Sequence, residues 1–281
     1  MNLNKRFTPI LTMMMCVGLT VGCGSTNDKT IESTDDLAIL SDEFDDASTL
    51  NQWLIADDVS HSKKEEGFFE VMDINTTRPG SLYILPTAGT WYSINTGHLS
   101  YKKIKGDFSI TLRVKVLGKS SSIPSGAYDL AGLMARTPSQ IEGEIVPANG
   151  ENWEYITTGG EGNKRIVDYK TTVNSQSSYL IKEVASEWII LRMVRVGSTF
   201  VKLYKEDDQG EWQLASTMER DHLPEELQVG INFLTNLNGA PDHTIEADYI
   251  RYSRPLISKE LQEKITQKTV TDDDWKAAFS N

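Results

Sequence analysis

Apolar and polar residues alternate over much of the chain after Ser41, and the alternation has a period of two. Phe108, Ile110, Leu112, Val114 and Val116 are separated by Ser109, Thr111, Arg113 and Lys115. A strand with one face buried produces that pattern, because successive side chains leave opposite faces. Trp188 to Val196 predicts another strand, turned by Gly197-Ser198 into Thr199–Tyr204. Asp207-Asp-Gln-Gly210 is a further turn, leading to Trp212–Ala215. Residues 227–233 and 244–252 close the series, and 81–85, 98–101, 128–136, 153–157 and 165–173 precede it. Many short strands with turn residues between them predict an all-β, antiparallel two-sheet jelly-roll sandwich. The end of the chain changes period. Residues 258–268 have helix-forming composition, and Thr271-Asp-Asp-Asp274 reads as an N-cap with acids in the first turn, before Trp275–Phe279. Two short C-terminal helices are expected. Trp275 and Phe279, four apart, share a face that either staples the tail to the domain or docks a protein partner.

The first residues have a different logic. Lys5 and Arg6 are followed by a mostly apolar run from Phe7 to Val21, then by Gly22 and Cys23. The run is too short to span a bilayer comfortably, and its flanks are those of an export signal. Small residues leading straight into a cysteine resemble a bacterial lipoprotein signal, with Thr20 where a larger aliphatic residue is more usual. The resemblance implies cleavage before Cys23 and lipidation of that residue; an ordinary cleaved signal is the alternative. Stable anchoring takes two or more acyl chains, which a lipidated N-terminal cysteine supplies. The expected organisation is a signal at 1–22, a lipidated Cys23 and tether through 40, a sandwich at 41–255 and a helical tail at 256–281. The tether is rich in Ser, Thr, Asn and acids and would hold the domain roughly 20 Å from the lipid. Gly24 after the cysteine favours the outer membrane of a Gram-negative envelope.

Charge narrows the partners. The chain has 28 Lys and Arg against 40 Asp and Glu, a net charge of −12. Residues 1–22 contain Lys5 and Arg6 and no acid, so the remainder stands at −14. Phosphate backbones repel such a domain, and nucleic acid is not an expected partner. The 2 cysteines, Cys16 and Cys23, both belong to the signal region, which leaves no disulfide or thiolate site for the domain.

Several segments together resemble the concanavalin A-like lectin/glucanase sandwiches. The resemblance is nearest to the DUF1349-type domains and the C-terminal sandwich of family 43 glycoside hydrolases. Asp42-Glu-Phe-Asp-Asp46 with Leu50-Asn-Gln-Trp53 looks like the first strand and its Trp anchor. Thr90-Trp-Tyr92, Gly106–Ile110, Asp129–Arg136 with Asn152-Trp153, and Glu246–Ile250 resemble later strands. Residues 137–151 form a long Pro- and Gly-containing segment that departs from those domains. The resemblance implies a structural calcium joining the first strand region to the last, with Glu43, Asp45 and Asp248 at the matching places; oxygen ligands suit calcium. It does not fix an activity, because the fold hosts lectins, hydrolases and lyases.

A sugar-binding surface needs aromatic rings against the apolar face of a pyranose, with polar groups at the rim. Of the 6 tryptophans, Trp53 and Trp188 read as core. Trp91, Tyr92, Trp153 and Tyr155 lie beside Gly-, Thr- and Asn-rich loops and are the stacking candidates. Arg113, Arg136 and Asn152 are the polar candidates, with a structural salt bridge as the plainer role for Arg136. A retaining or inverting glycosidase needs two carboxylates on one face. Glu70 and Asp73 have odd spacing, and Glu142 and Glu144 lie in the 137–151 segment. A lyase would draw on His98 with Tyr92 or Tyr101 and an arginine. The four histidines have no ligand spacing. The expected function is therefore a lipid-anchored envelope module that binds a polysaccharide or glycan without catalysis. A carbohydrate-active enzyme, or a structural lipoprotein binding another protein, is the alternative.

Overall fold

A computed structural model describes residues 35–56, 67–92, 94–95, 97–137, 150–235 and 240–280. Cys23, and all but the ends of the 137–151 segment, lie outside these residues. In chain order the strands are β1 (Leu54–Ile55), β2 (Phe69–Ile74), β3 (Leu82–Pro86), β4 (Trp91–Tyr92), β5 (Ile94–Asn95), β6 (His98–Lys105), β7 (Phe108–Gly118) and β8 (Asp129–Arg136). They continue as β9 (Trp153–Glu161), β10 (Lys164–Val173), β11 (Gln176–Glu183), β12 (Ile189–Val196), β13 (Thr199–Glu206), β14 (Gln213–Glu219), β15 (Glu226–Leu234) and β16 (His243–Ser253). Two helices follow, α1 (Lys259–Gln267) and α2 (Asp272–Phe279).

Fourteen of these strands make two antiparallel sheets of seven. The first runs β1-β6-β15-β8-β9-β10-β11 and the second β14-β13-β12-β7-β16-β3-β2, while β4 and β5 pair as a small hairpin. This is the jelly-roll sandwich expected from the period-two pattern. The alternation in β7 is realised in full: Phe108, Ile110, Leu112, Val114 and Val116 are buried between the sheets. Ile189, Leu191 and Met193 lie opposite Val114, Leu112 and Ile110 in register and bury the same face. Each such side chain contributes about 1.5–3 kcal/mol of burial.

The layer between the sheets also holds charge. Glu154 on β9 faces the second sheet, accepts from Lys202 Nζ at 2.7 Å, and is bridged by Arg220 Nη1. Thr171 Oγ1 donates to the same carboxylate at 2.7 Å. Lys202 also donates to the Lys170 carbonyl at 3.0 Å, and Arg220 to the Thr172 carbonyl at 2.9 Å. All three charged side chains are buried. One acid is thus shared by two cations and ties β9 and β10 of one sheet to β13 of the other.

His98 lies in the same layer, stacked on Phe233 at 4.9 Å and edge-on to Phe69 at 5.4 Å. Burial lowers its pKa to about 3, so the folded protein holds it neutral.

The tail is a cover for the second sheet. Ser258 caps α1 through the Leu261 N–H, and Thr271 forms a capping box with Asp274 at α2. Trp275 and Phe279 stack with ring centroids 6.0 Å apart. With Leu261 they bury against Ile190, Val194, Val201 and Leu203, the outward residues of β12 and β13. The shared face of Trp275 and Phe279 is therefore occupied within the chain.

Two details differ from the sequence reading. The expected tether through residue 40 is packed from Asp35 onward: Leu37 is buried and Asp36 pairs with Arg254 at 2.7 Å. Trp188, read as core, is only half-buried and lies under Arg113 at 4.1 Å and Lys115 at 4.6 Å. Trp53 does bury, and its indole N–H donates to Asp42 Oδ2 at 3.1 Å.

Two predictions follow from the layer between the sheets. Glu154→Gln leaves two buried cations without a counter-charge and should cost about 3–5 kcal/mol in denaturant unfolding. Lys202→Met leaves Glu154 paired with Arg220 and should cost clearly less; equal costs would contradict the cluster. For His98 the unfolded chain binds a proton below pH 6.5 while the folded chain does not until about pH 3. Stability should thus fall with falling pH across that window, by up to about 1.4 kcal/mol per pH unit. His98→Leu should flatten the profile there.

Candidate functional site

The site is built on the face of the first sheet that looks away from the second. Glu154 points inward, so its neighbours Trp153 and Tyr155 point outward. Register then defines three rows across β15, β8, β9 and β10. The first is Gln228, Arg136, Trp153 and Thr172; the second is Gly230, Met134, Tyr155 and Lys170; the third is Asn232, Gly132, Thr157 and Asp168. Tyr179 on the edge strand β11 extends the second row.

The centre of this face is filled by the chain itself. Trp91, Trp153 and Tyr155 are fully buried. Tyr155 stacks on Trp153 at 5.1 Å with 8° between the planes, and Trp91 meets Trp153 edge-on at 6.2 Å. The Trp91 indole N–H donates to the His98 carbonyl at 3.0 Å. Gly97 is required here, because a Cβ would collide with that indole. Arg136 is also buried. Its guanidinium binds both oxygens of Glu151, at 2.9 and 2.8 Å, and donates to Gln228 Oε1 at 2.9 Å. The plainer expectation for Arg136, a structural salt bridge, is what the geometry gives.

An open patch lies beside this filled centre. Tyr92 is 48% and Tyr179 43% exposed. Lys170 Nζ lies 5.2 Å from the Tyr92 ring centroid, 4.8 Å from Tyr155 and 5.3 Å from Tyr179. It donates to the Trp91 carbonyl at 3.4 Å and faces Asp168 Oδ2 at 3.8 Å. Tyr155 donates its hydroxyl to the same Asp168 oxygen at 2.7 Å. Tyr128 adds a ring edge-on to Tyr179 at 6.3 Å, with the two hydroxyls 3.4 Å apart.

Burial sets the electrostatics of this group. Desolvation raises the Asp168 pKa, against the pull of Lys170 and Tyr155. Desolvation lowers that of Lys170, opposed by Asp168. The Tyr155 hydroxyl is pushed up by burial and by the Asp168 charge. The Tyr128 hydroxyl is raised chiefly by its hydrogen bond to Tyr179. The result is a cation held among aromatic rings, with two of those rings reaching solvent. Such a surface offers the ring faces and hydroxyls of Tyr92 and Tyr179, positioned by a buried cation.

The other sequence candidates lie elsewhere. Arg113 is on the outer face of the second sheet, bridged to Asp248 at 3.2 Å and Asp208 at 3.3 Å. It cannot act with Trp153 or Tyr92, which belong to the opposite side of the sandwich. Asn152 braces two loops: it donates to the Gly150 carbonyl and accepts from the Asn174 N–H, both at 3.0 Å. His98 is buried between the sheets, away from Tyr92. Glu43 is held by Arg251 through two contacts of 2.7 Å, and Asp248 by Arg113. Asp45 is exposed. Among the described residues no cluster of three or more His, Cys, Asp and Glu is placed to hold a metal, so these three acids are not gathered.

Lys170, Asp168, Tyr179 and Tyr128 escaped the sequence reading. Asp168, Lys170 and Thr172 alternate with Val167, Tyr169 and Thr171, which reads as the solvent face of an ordinary strand. The usable signal was the pairing of β9 with β10, which sets Lys170 opposite Tyr155.

No protein-family profile matches the chain, and no curated protein does. Solved structures are similar. A functionally unknown protein from Saccharomyces cerevisiae has a TM-score of 0.53 at 15% identity, over 74% of this chain and 98% of that one. A GH43 protein from Bacillus licheniformis has a TM-score of 0.54 at 15% identity, over 79% of this chain and 40% of that one. A xylan β-1,4-xylosidase from Bacillus halodurans has a TM-score of 0.54 at 15% identity, over 76% and 39%. The chain thus spans about two fifths of the length of either glycosidase-family protein, and at these identities the likeness is one of fold: a jelly-roll sandwich of the kind found within larger glycosidase-family chains.

Proposed function

We propose that this chain is a carbohydrate-binding β-sandwich, held at a bacterial envelope membrane by lipid on Cys23, and that it binds glycan without transforming it. The observation that carries the binding reading is the grouping of Tyr92 and Tyr179 around Lys170. Two exposed rings can stack on pyranose faces and their hydroxyls can bond to sugar oxygens, while the buried Lys170 holds the rings in place. Sugar contact is then made by Tyr92 and Tyr179, with Tyr128 at the rim. Trp91, Trp153 and Tyr155 serve as the buried base beneath them. The acids of this face support a binding role, since Asp168 is engaged by Tyr155 and Glu151 by Arg136. Glycoside cleavage needs a carboxyl pair that reaches the scissile bond. The occurrence of this fold within glycosidase-family chains is in keeping with an accessory, ligand-holding role. Calcium at Glu43, Asp45 and Asp248 belongs to the proposal as a structural ion; binding it would require Arg251 and Arg113 to release their carboxylates.

Binding is tested by a glycan array and polysaccharide pulldown, with and without calcium, alongside an assay for new reducing or unsaturated ends. Tyr92→Ala and Tyr179→Ala should each weaken binding about three- to tenfold, the worth of one stacked ring. Release of new ends would replace the binding reading with an enzyme. Anchoring is tested separately: Cys23→Ala should move the protein from the membrane to the soluble fraction of a bacterial host. Retention in the membrane would contradict the lipid anchor.

A further inference from the structure

The second sheet has its own opening, on the side away from the tyrosine patch. The helical tail does not lie flat on β7, β12, β13 and β16; it leaves a groove of about 1260 Å³. Ligand pockets commonly measure about 300–1,000 Å³, so the space is ample for a small molecule. One wall is apolar, from Ile190 and Trp212 on the sheet side to Ile257, Leu261, Ala278 and Phe279 on the tail. The other end is polar, with Ser109, Thr111 and Ser253.

Two cations share the Trp212 ring in this groove. The Arg192 guanidinium lies 4.2 Å and Lys205 Nζ 5.4 Å from its centroid. Arg192 is fixed in place by a bond to Thr111 Oγ1 at 3.0 Å and by the Phe279 carbonyl. Lys205 meets the Asp208 carbonyl at 3.4 Å and no carboxylate among the described residues. The bordering acids are committed elsewhere: Glu43 to Arg251, and Asp274 and Glu260 to Lys264. Asp35 accepts from the backbone N–H groups of Leu37 and Arg254. Arg251 likewise covers the Tyr249 ring at 3.8 Å. Trp212, Tyr252 and Phe279 are buried and Tyr249 is half-buried, which leaves little open ring face for a sugar. What remains on offer is positive charge beside an aliphatic wall.

We infer that this groove binds an amphipathic organic anion, a carboxylate on an unbranched aliphatic body, with its head at Lys205 and Arg192 and its body along Leu256, Ile257 and Ala278. Charge complementarity places the head, and burial of methylene groups holds the body. This site is independent of the glycan reading, since it occupies the other sheet.

The test uses the whole chain carrying Cys23→Ala, so that no acyl group of its own competes. Bromoundecanoate should quench tryptophan emission, because Trp212 lines the groove, and dodecanoate should displace it. Lys205→Gln should weaken dodecanoate about tenfold. Ala277→Trp, which fills the groove from its exposed rim, should abolish binding, while Tyr179→Ala leaves it unchanged. Equal competition by dodecanol or dodecyltrimethylammonium would overturn the inference, as would absence of quenching in protein with a native circular-dichroism spectrum.

Discussion

The Glu154 carboxylate, shared by Lys202 and Arg220 between the sheets, is the interaction on which the site depends. Its neighbours Trp153 and Tyr155 point the opposite way, so whatever fixes Glu154 fixes them. The same two cations reach the carbonyls of Lys170 and Thr172 and hold β10 in place. Lys170 therefore presents its ammonium on the outer face while its carbonyl is gripped from the inner one. A buried charge cluster is a weak source of net stability, because desolvating three ions is costly. Its strength is directional: only one register of β9 and β10 brings Glu154 between both cations. A one-residue slip would turn Glu154 outward and send Trp153 and Tyr155 into the core.

The central strands of the first sheet are buried on both faces, which moves the open surface to their margin. Packing of Trp91 on Trp153 and Gly97 removes the middle of the face from solvent. Beyond it, β11 is an edge strand and β4 is a two-residue piece of a small hairpin. Tyr179 and Tyr92 lie on those two elements, and this is why their rings remain open. The opposite sheet is covered in a different way, by the tail. Trp275 and Phe279 close one part of it, and the groove above Arg192 and Lys205 is what they leave.

The fold was largely legible in the sequence, because it rests on local signals. β7 announces itself through Phe108–Val116, and the β12–β13 hairpin through Gly197-Ser198. The N-cap at Thr271 was readable, and Trp275 with Phe279 at a four-residue spacing could be placed on one face. The strands that were missed lack such contrast. β11, Gln176–Glu183, is an edge strand with little burial on either side, so apolar and polar residues do not alternate along it. β2 overlaps the Glu70–Asp73 segment and is only partly buried. The site was far less legible, since aromatic identity says nothing about exposure. Trp91 and Trp153 differ from Tyr92 and Tyr179 only in which neighbours cover them, and those neighbours come from register between distant strands. Arg113 and Arg136 looked alike in their strands, yet one lies on each side of the sandwich. Lys170 was silent until β9 set Tyr155 beside it.

The account stands on the tyrosine patch around Lys170 being the surface that meets glycan. Isotope-labelled protein titrated with an oligosaccharide from the array, followed by tyrosine-ring and backbone NMR shifts, maps that surface directly. The account predicts that the largest changes fall on the rings of Tyr92 and Tyr179 and on the amides of β10 and β11. Changes confined to the outer face of the second sheet, with Tyr92 and Tyr179 unmoved, would contradict it.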